Sequence, residues 1–439
     1  MTTITRFSFA ISLILVLLCT TVSCSRVSEP PEKSPEPTSA PTSAPSASAM
    51  PHEYSLRGVW VASVFNLDYP SRKKLTEHQL KQEADKILDN AVRLGFNAVF
   101  FQVRPEGDAL YKSEIFPQSQ YLAGKQGNVP PGGFDPLDYF IKGAHSRGLQ
   151  LHAWINPYRI SRTKKDWKKA SKNSPAKQNP DWVLKAGKLR VYNPGIPEVL
   201  DLVLSGVREI LENYEVDGIH YDDYFYPEDG RCDFEKGQLY DFETFVKYSE
   251  YDPEENGLSP ADSEYLMADW RRENVNTLIR KTQKLVHTLR PECQFGVSPR
   301  GIWDNKSKNT RGSNTAGKSS YRSDFADSRR WVKMGWVDYI APQIYWEIGR
   351  KEADYATLLD WWSNVVDNTG VKLYIGHATW LSSQYGANET WKNGREIKRQ
   401  VELIKADSQA TGSIHFRYAE IIKNPRLCKT LKKLNNAAE

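Results

Sequence analysis

The stretch Arg93–Arg104, RLGFNAVFFQVR, decides the fold. Its Gly95 and Asn97 end an amphipathic segment, Glu77–Leu94, and release the chain into β-branched and aromatic residues that finish on Gln102 and Arg104. The same arrangement recurs in SRGLQLHAW and KMGWVDYIA, where a glycine again separates a helical pattern from an extended one. Working outward, eight short β-rich runs can be marked: Arg57–Ser63, Asn97–Arg104, Gln150–Asn156, Asp217–Tyr224, Gln294–Arg300, Val337–Trp346, Lys372–Trp380 and Gly412–Tyr418. Helix-like segments alternate with them at Glu77–Leu94, Leu137–Arg147, Pro197–Tyr214, Met267–Leu289, Phe325–Met334, Tyr355–Val366, Gly394–Ser408 and Pro425–Leu434. Eight strand–helix pairs in succession predict an α/β fold, a (β/α)8 TIM barrel rather than an open doubly wound sheet. The longest connections, about 161–192, 227–266 and 301–322, all follow strands and so belong to the C-terminal face of the barrel, where barrel enzymes keep their sites.

The rest of the chain frames that domain. Residues 7–18 (FSFAISLILVLL) form an apolar run behind Arg6 that is too short for a comfortable membrane span and has the shape of a secretory signal. Small residues before Cys24 resemble a bacterial lipobox, so residues 1–23 read as a lipoprotein signal and Cys24 as the lipidation site. Residues 24–53 are rich in Pro, Ser, Thr and Ala and read as a disordered tether, leaving 54–439 as one catalytic barrel domain. The expected location is the cell envelope, with a membrane as partner through the lipid. Ser25 after Cys24 favours the periplasmic side of an outer membrane where the cell has two membranes. Without Cys19 and Cys24, the cysteines left are Cys232, Cys293 and Cys428, an odd set that fits neither a disulfide framework nor a zinc site. A net charge of +5 is small for 439 residues, and the lysine-rich run KKDWKKASK at 164–172 reads as a solvated loop, so nucleic acid is not expected as a partner. Thirteen tryptophans and 22 tyrosines exceed what a core needs, and flat aromatic faces are what sugar rings stack on.

Strand parity locates candidate residues, because alternate side chains point into a barrel or out to its helices. On strand two Val99, Phe101 and Val103 look out, leaving Phe100, Gln102 and Arg104 inside with Glu106 next. On strand three His152, Trp154 and Asn156 face in; on strand four His220 and Asp222 do, while Ile219 and Tyr221 look out. The inward sets elsewhere are Ser298 and Arg300, Gln343 and Tyr345, His377 and Thr379, and His415 and Arg417. A single inward His or Gln is usually a hydrogen-bonded layer residue, but polar side chains at so many strand ends are costly to bury without water or a ligand. The carboxylates available there are Asp222, Asp223, Glu106, Asp108 and Glu347. No HxH or HExxH pattern, nucleophile elbow or phosphate loop is present, so no metal and no cofactor is expected. Elimination leaves carboxylate chemistry, which in an aromatic-rich barrel points to glycoside cleavage.

The stretches RGVWVAS, NAVFFQVRPEGDALY, FDPLDYFIKGAHSRGLQLHAWINPYR, DGIHYDDYFYP, VSPRGIW, DYIAPQIYW and LYIGHATW together resemble the bacterial glycosyl-hydrolase-like family 10. The resemblance runs from about Arg57 to the C-terminus. It implies a (β/α)8 barrel, often a lipoprotein, that cleaves peptidoglycan glycan strands, notably strands stripped of peptides. It carries function onto His220, Tyr221, Asp222 and Asp223 of HYDDYFYP, onto Arg104 and Asp108 of RPEGDA, and onto Gln343, Tyr345 and Trp346 of PQIYW, with Glu347 just beyond. Arg159, closing INPYR, joins the substrate-binding candidates. Two schemes stay open. Asp222 can act as a direct nucleophile with Glu106, Asp108 or Glu347 as the acid. Alternatively the 2-acetamido group of the sugar attacks, with one aspartate orienting it and its neighbour protonating the leaving oxygen. Hydrolysis of another polysaccharide (an exopolysaccharide or α-glucan) and a glycan-binding lipoprotein without turnover are the alternative functions.

Overall fold

The computed structural model describes residues 54–227, 241–249, 251, 260–384 and 389–436. Thr76 opens the first long helix, Glu77–Arg93, with a reciprocal capping box to Gln79, and Leu80, Ala84, Ile87, Leu88 and Ala91 turn its apolar face to the barrel. Beyond the helix Gly95 adopts φ +73°, where a Cβ would collide with Asn435 at 2.8 Å, so the turn requires glycine. The chain then enters a strand buried along its whole length. The eight expected runs all become barrel strands, which together with three inserted strands number β1 (Leu56–Val61), β2 (Ala98–Arg104), β3 (Gln150–Ile155), β4 (Arg159–Ser161), β5 (Val183–Ala186), β6 (Leu189–Tyr192), β7 (Gly218–Tyr221), β8 (Gln294–Val297), β9 (Tyr339–Ile340), β10 (Lys372–His377) and β11 (Ala410–His415). The barrel runs β1-β2-β3-β7-β8-β9-β10-β11 and closes on β1, every pair parallel. It is a (β/α)8 TIM barrel, as the periodicity requires.

Two cores result. The larger lies between strands and helices. The smaller fills the barrel, where Trp60, Phe100, Trp154, Tyr339, Tyr374 and Ile414 pack together. These large rings fit because glycines face them: a Cβ on Gly218 would lie 2.1 Å from His152 Nδ1, and one on Gly296 2.1 Å from the Tyr339 ring.

The parity reading holds on β3, β7 and β8 and fails at three strand ends. A register shift between Gln102 and Arg104 pairs Arg104 with the outward Ile155. Arg104 therefore leaves the barrel and lies, 1 % exposed, over the Phe116 ring and against Gly206 of the helix Pro197–Asn213. On β10 and β11 the inward residues are Tyr374, Gly376 and Ile414, so His377 and His415 stack on each other in the helix layer, 4.8 Å apart. His377 is satisfied there by Gln400 and Ser413. Arg417 likewise turns to the rim and binds Asp68 and Glu420.

The connection after β3 holds a small antiparallel sheet, β4-β6-β5, and the lysine-rich run is not a loop: Thr163 caps a helix over Lys164–Lys169. The signal at 1–23, the tether at 24–53 and Cys24 lie outside the described residues, among which no helix is long and apolar enough to cross a membrane.

Candidate active site

The floor of the barrel mouth is a hydrogen-bonded chain. Trp60 Nε1, a donor only, gives its proton to His220 Nε2 at 3.2 Å. His220 therefore carries its proton on Nδ1 and donates to the Tyr339 hydroxyl at 3.0 Å. Tyr339 in turn donates to His152 Nδ1 at 3.2 Å. Burial holds both imidazoles neutral, pushing His152 down to about 4 and His220 well below its ordinary value. Neither is poised to move protons at neutral pH. They support what lies above.

Above them Gln102 and Arg159 fix Asn156. Gln102 Nε2 and Arg159 Nη2 both donate to Asn156 Oδ1 at 2.7 Å, which leaves its amide nitrogen facing Asp222. Asp222 Oδ2 accepts from Asn156 Nδ2 and from Trp154 Nε1 (3.1 Å), and its Oδ1 from the Tyr224 backbone N–H (3.2 Å). Burial first, and then the neighbouring Asp223, push the Asp222 carboxyl up to about 7. Asp223 is also raised by burial, against the pull of Arg300 and a bond from Gln343. Two carboxyls this close retain a proton between them near neutrality.

The pair borders a cleft of about 260 Å³ walled by Trp60, Phe65, Trp154, Tyr224, Tyr345 and Phe416, with Arg159 and Arg162 at one side. Tyr345 and Phe416 stack at 6.2 Å between centroids. Asp223, but not Asp222, also borders a second cavity of about 230 Å³ lined by Arg159, Tyr224, Tyr226, Arg300 and Asp324. Asp223 thus stands between two chambers. Arg300 holds its place at the second through a two-point pair with Asp324 at 2.9 and 3.0 Å.

Sequence reasoning brought Trp154, Arg159, Asp222, Asp223, Gln343 and Tyr345 to the cleft, with His152, Asn156 and His220 beneath or beside it. Other candidates go elsewhere. Tyr221 faces the helix Pro260–Leu289 and bonds Thr282, as its parity required, so its side chain does not line the cleft. Asp108 is fully buried behind the barrel wall near Arg104, and burial pushes it up to about 6. Glu106 accepts from Tyr121 and Gln120 and opens on a different cavity. Glu347 accepts from Trp391, and Trp346 packs in the outer core. His377 and Arg417 are turned away by the parity described above. Among the described residues, Asp222 and Asp223 are the carboxylates that line the cleft. Residues the reading missed are Trp60, Phe65, Arg162, Tyr339 and Phe416. Tyr339 was accessible, since it shares the parity of Gln343 and Tyr345.

Residues 55–392 match the model of a family described as Glycosyl hydrolase-like 10. "Glycosyl hydrolase YngK" of Bacillus subtilis is 42 % identical over 84 % of this chain and 69 % of its own length. "Glycosyl hydrolase DigH" of Escherichia coli K12 is 39 % identical over 94 % of this chain and 93 % of its own. Among solved structures, the glycoside hydrolase domain of PgaB (BpsB) from Bordetella bronchiseptica superposes with a TM-score of 0.55 at 11 % identity, covering 86 % of this chain and 98 % of that one. An endo-β-1,4-mannanase from Thermotoga petrophila gives 0.54 at 10 %, covering 89 % and 77 %. Both likenesses speak for the barrel alone.

Proposed function

We propose that this chain, which belongs to the glycosyl hydrolase-like 10 family, is a glycoside hydrolase of the bacterial cell envelope that cleaves peptide-stripped peptidoglycan strands with the help of the substrate's own 2-acetamido group. The observation that carries the reading is the isolation of the Asp222–Asp223 pair: no third described carboxylate borders the cleft to serve as partner in a direct double displacement. Both schemes use two acids, but the separate partners open to a nucleophilic Asp222, namely Glu106, Asp108 and Glu347, all lie away from the cleft, whereas a substrate-assisted reaction suits two sequence neighbours.

The roles follow from the environments. The pair shares one proton near neutrality; three donors converge on Asp222 and stabilise its carboxylate as the acetamido group binds, so in the reacting complex the proton is carried by Asp223. Asp222 accepts the acetamido N–H and turns the carbonyl oxygen toward C1. That oxygen forms a bond to C1 as the glycosidic C1–O bond breaks, and the leaving oxygen takes the proton of Asp223. Asp223 stands between two chambers, where a bond spanning them passes. Water then adds to C1 and gives a proton back to Asp223, reopening the oxazoline. Tyr345, which burial keeps as a phenol, is a donor at the cleft wall. The attack is from the face opposite the leaving group, so the bond cleaved is 1,2-trans. Aromatic walls supply the stacking surfaces for the pyranose rings.

Purified protein incubated with peptide-free glycan strands, chitin oligomers and α-glucans tests the reading by release of reducing ends. The expected result is product from the N-acetylated substrates alone, inhibited by a thiazoline analogue of N-acetylglucosamine. A fluorosugar adduct trapped on Asp222, with no thiazoline inhibition, overturns the substrate-assisted scheme. Strand binding without product on long incubation replaces the hydrolase by a glycan-binding protein.

A further inference from the structure

Beside the cleft lies a larger cavity of about 1120 Å³ that the chemistry above leaves unused. Its walls are the segment around Lys125–Asn128 and the capped helix Lys164–Lys169 with the residues that follow it. The Ser171 backbone N–H donates to Gln126 Oε1 at 2.9 Å, and Gly127 lies so close to Ser171 that a Cβ would sit 3.0 Å from its hydroxyl. The two walls are therefore tied together. Seven lysines line the space, among them Lys73, Lys125, Lys165, Lys168 and Lys169. Among the described residues, none of the seven lies within 4.0 Å of a carboxylate: Lys73 binds the Gln120 amide oxygen and Lys177 sits over the Trp167 ring. Two acids share the lining. Asp166 is bound to Thr163, and buried Glu106 is pushed up to about 8, so that it does not offset the lysines near neutrality. Seven lysines against Asp166 leave an excess of like charge that repels itself, and an anionic ligand relieves that repulsion.

The position says which anion. One short strand, β4, separates the two spaces: Arg159 lines the cleft, Ile160 and Ser161 line the basic groove, and Arg162 returns to the cleft over the Phe65 ring at 4.9 Å. A polymer held in the cleft continues into the groove. Resting on the hydrolase reading above, we infer that the groove binds the carboxylates of the same glycan strand, the lactyl groups of muramic acid that are free only once the peptides have been removed. An amide-linked peptide abolishes the charge at that position and carries its own carboxylates away from the sugar backbone, so the lysines favour strands whose lactyl groups are free.

The test uses the full chain and the charge-reversal variant Lys165→Glu/Lys168→Glu/Lys169→Glu, all exposed positions, with fluorescently end-labelled strands read by anisotropy. Strands are prepared native and with their carboxylates reduced to alcohols. Wild type is expected to bind native strands at least tenfold more tightly than the variant, to lose that advantage as salt is raised, and to match the variant on reduced strands. Equal affinity of the two proteins for native strands overturns the inference, whether or not strands are cleaved. Lysine-dependent binding of inorganic polyphosphate without lysine-dependent binding of strands also overturns it, assigning the groove to a phosphate polymer. Charge-dependent strand binding with no release of reducing ends sustains the groove and removes the hydrolase reading, so the two stand or fall separately.

Discussion

The Asp222–Asp223 pair retains one proton near neutral pH, held there by burial and by the nearness of the two carboxyls, with the raised titration expressed at Asp222. Its folded pKa of about 7 lies above its unfolded value, so the folded state binds the extra proton between about pH 4 and 7. The associated stability is present below that window and lost as pH rises through it, on the order of 4 kcal/mol for a shift of this size. Asp222→Asn removes the titration. The variant should lose at least 10³-fold in kcat while its thermal midpoint, relative to wild type, climbs from pH 4 to pH 8. A constant difference across that range refutes the assignment of the raised group. The same pair sets the activity profile: the pair must carry its one proton, so kcat falls as that proton is lost with rising pH. Glu347 supplies the contrast. It binds Trp391 away from the cleft, and Glu347→Gln should keep kcat within about threefold, whereas a loss near that of Asp222→Asn would restore it as the acid.

At the scale of elements, catalytic geometry depends on how closely neighbouring strands approach. Gly296 of β8 leaves the space into which the Tyr339 ring of β9 fits, and Tyr339 links the two histidines under Asp222. Gly296→Ala should cost about 1–3 kcal/mol by overpacking and lower kcat by displacing His220. Urea melts together with kinetics check this; unchanged kcat would detach the histidine floor from catalysis. The element pattern was legible because glycine-ended helices and β-rich runs alternate without interruption, and closure follows from their number. The orientation of strand ends was less so. Parity works where one face is apolar and the other polar, as on β3 and β7. It fails on β11, where Ile414 and Phe416 are the inward residues, because this barrel interior is itself aromatic and the contrast disappears. A polar residue such as His377 is then as well satisfied by Gln400 from a helix as by a ligand. Arg104 was hidden differently: a one-residue register shift reverses the side of the wall it faces and leaves no mark in the composition of the strand.

For the whole molecule, the proposed function raises the question of how a barrel reaches a wall polymer. We propose that Cys24 carries the lipid and that the segment up to residue 53 is the spacer that sets the working distance. About 30 residues of chain span at most roughly 100 Å when fully drawn. Anchoring confines the domain within that range of the membrane, which raises its effective concentration against strands lying in the same zone. Two consequences separate the tether from the chemistry. Growth with an alkyne fatty acid should label the wild-type chain and not Cys24→Ser, and label on the serine variant would move the lipid elsewhere. Deleting residues 27–50 should slow solubilisation of intact walls severalfold while leaving turnover of soluble strand fragments unchanged. The physical reason is that the deletion shortens reach and touches no residue of the cleft or the basic groove. Equal loss on walls and on soluble fragments would mean that the segment contributes to the folded domain itself, and undiminished wall cleavage would mean that the barrel does not work from a lipid anchor.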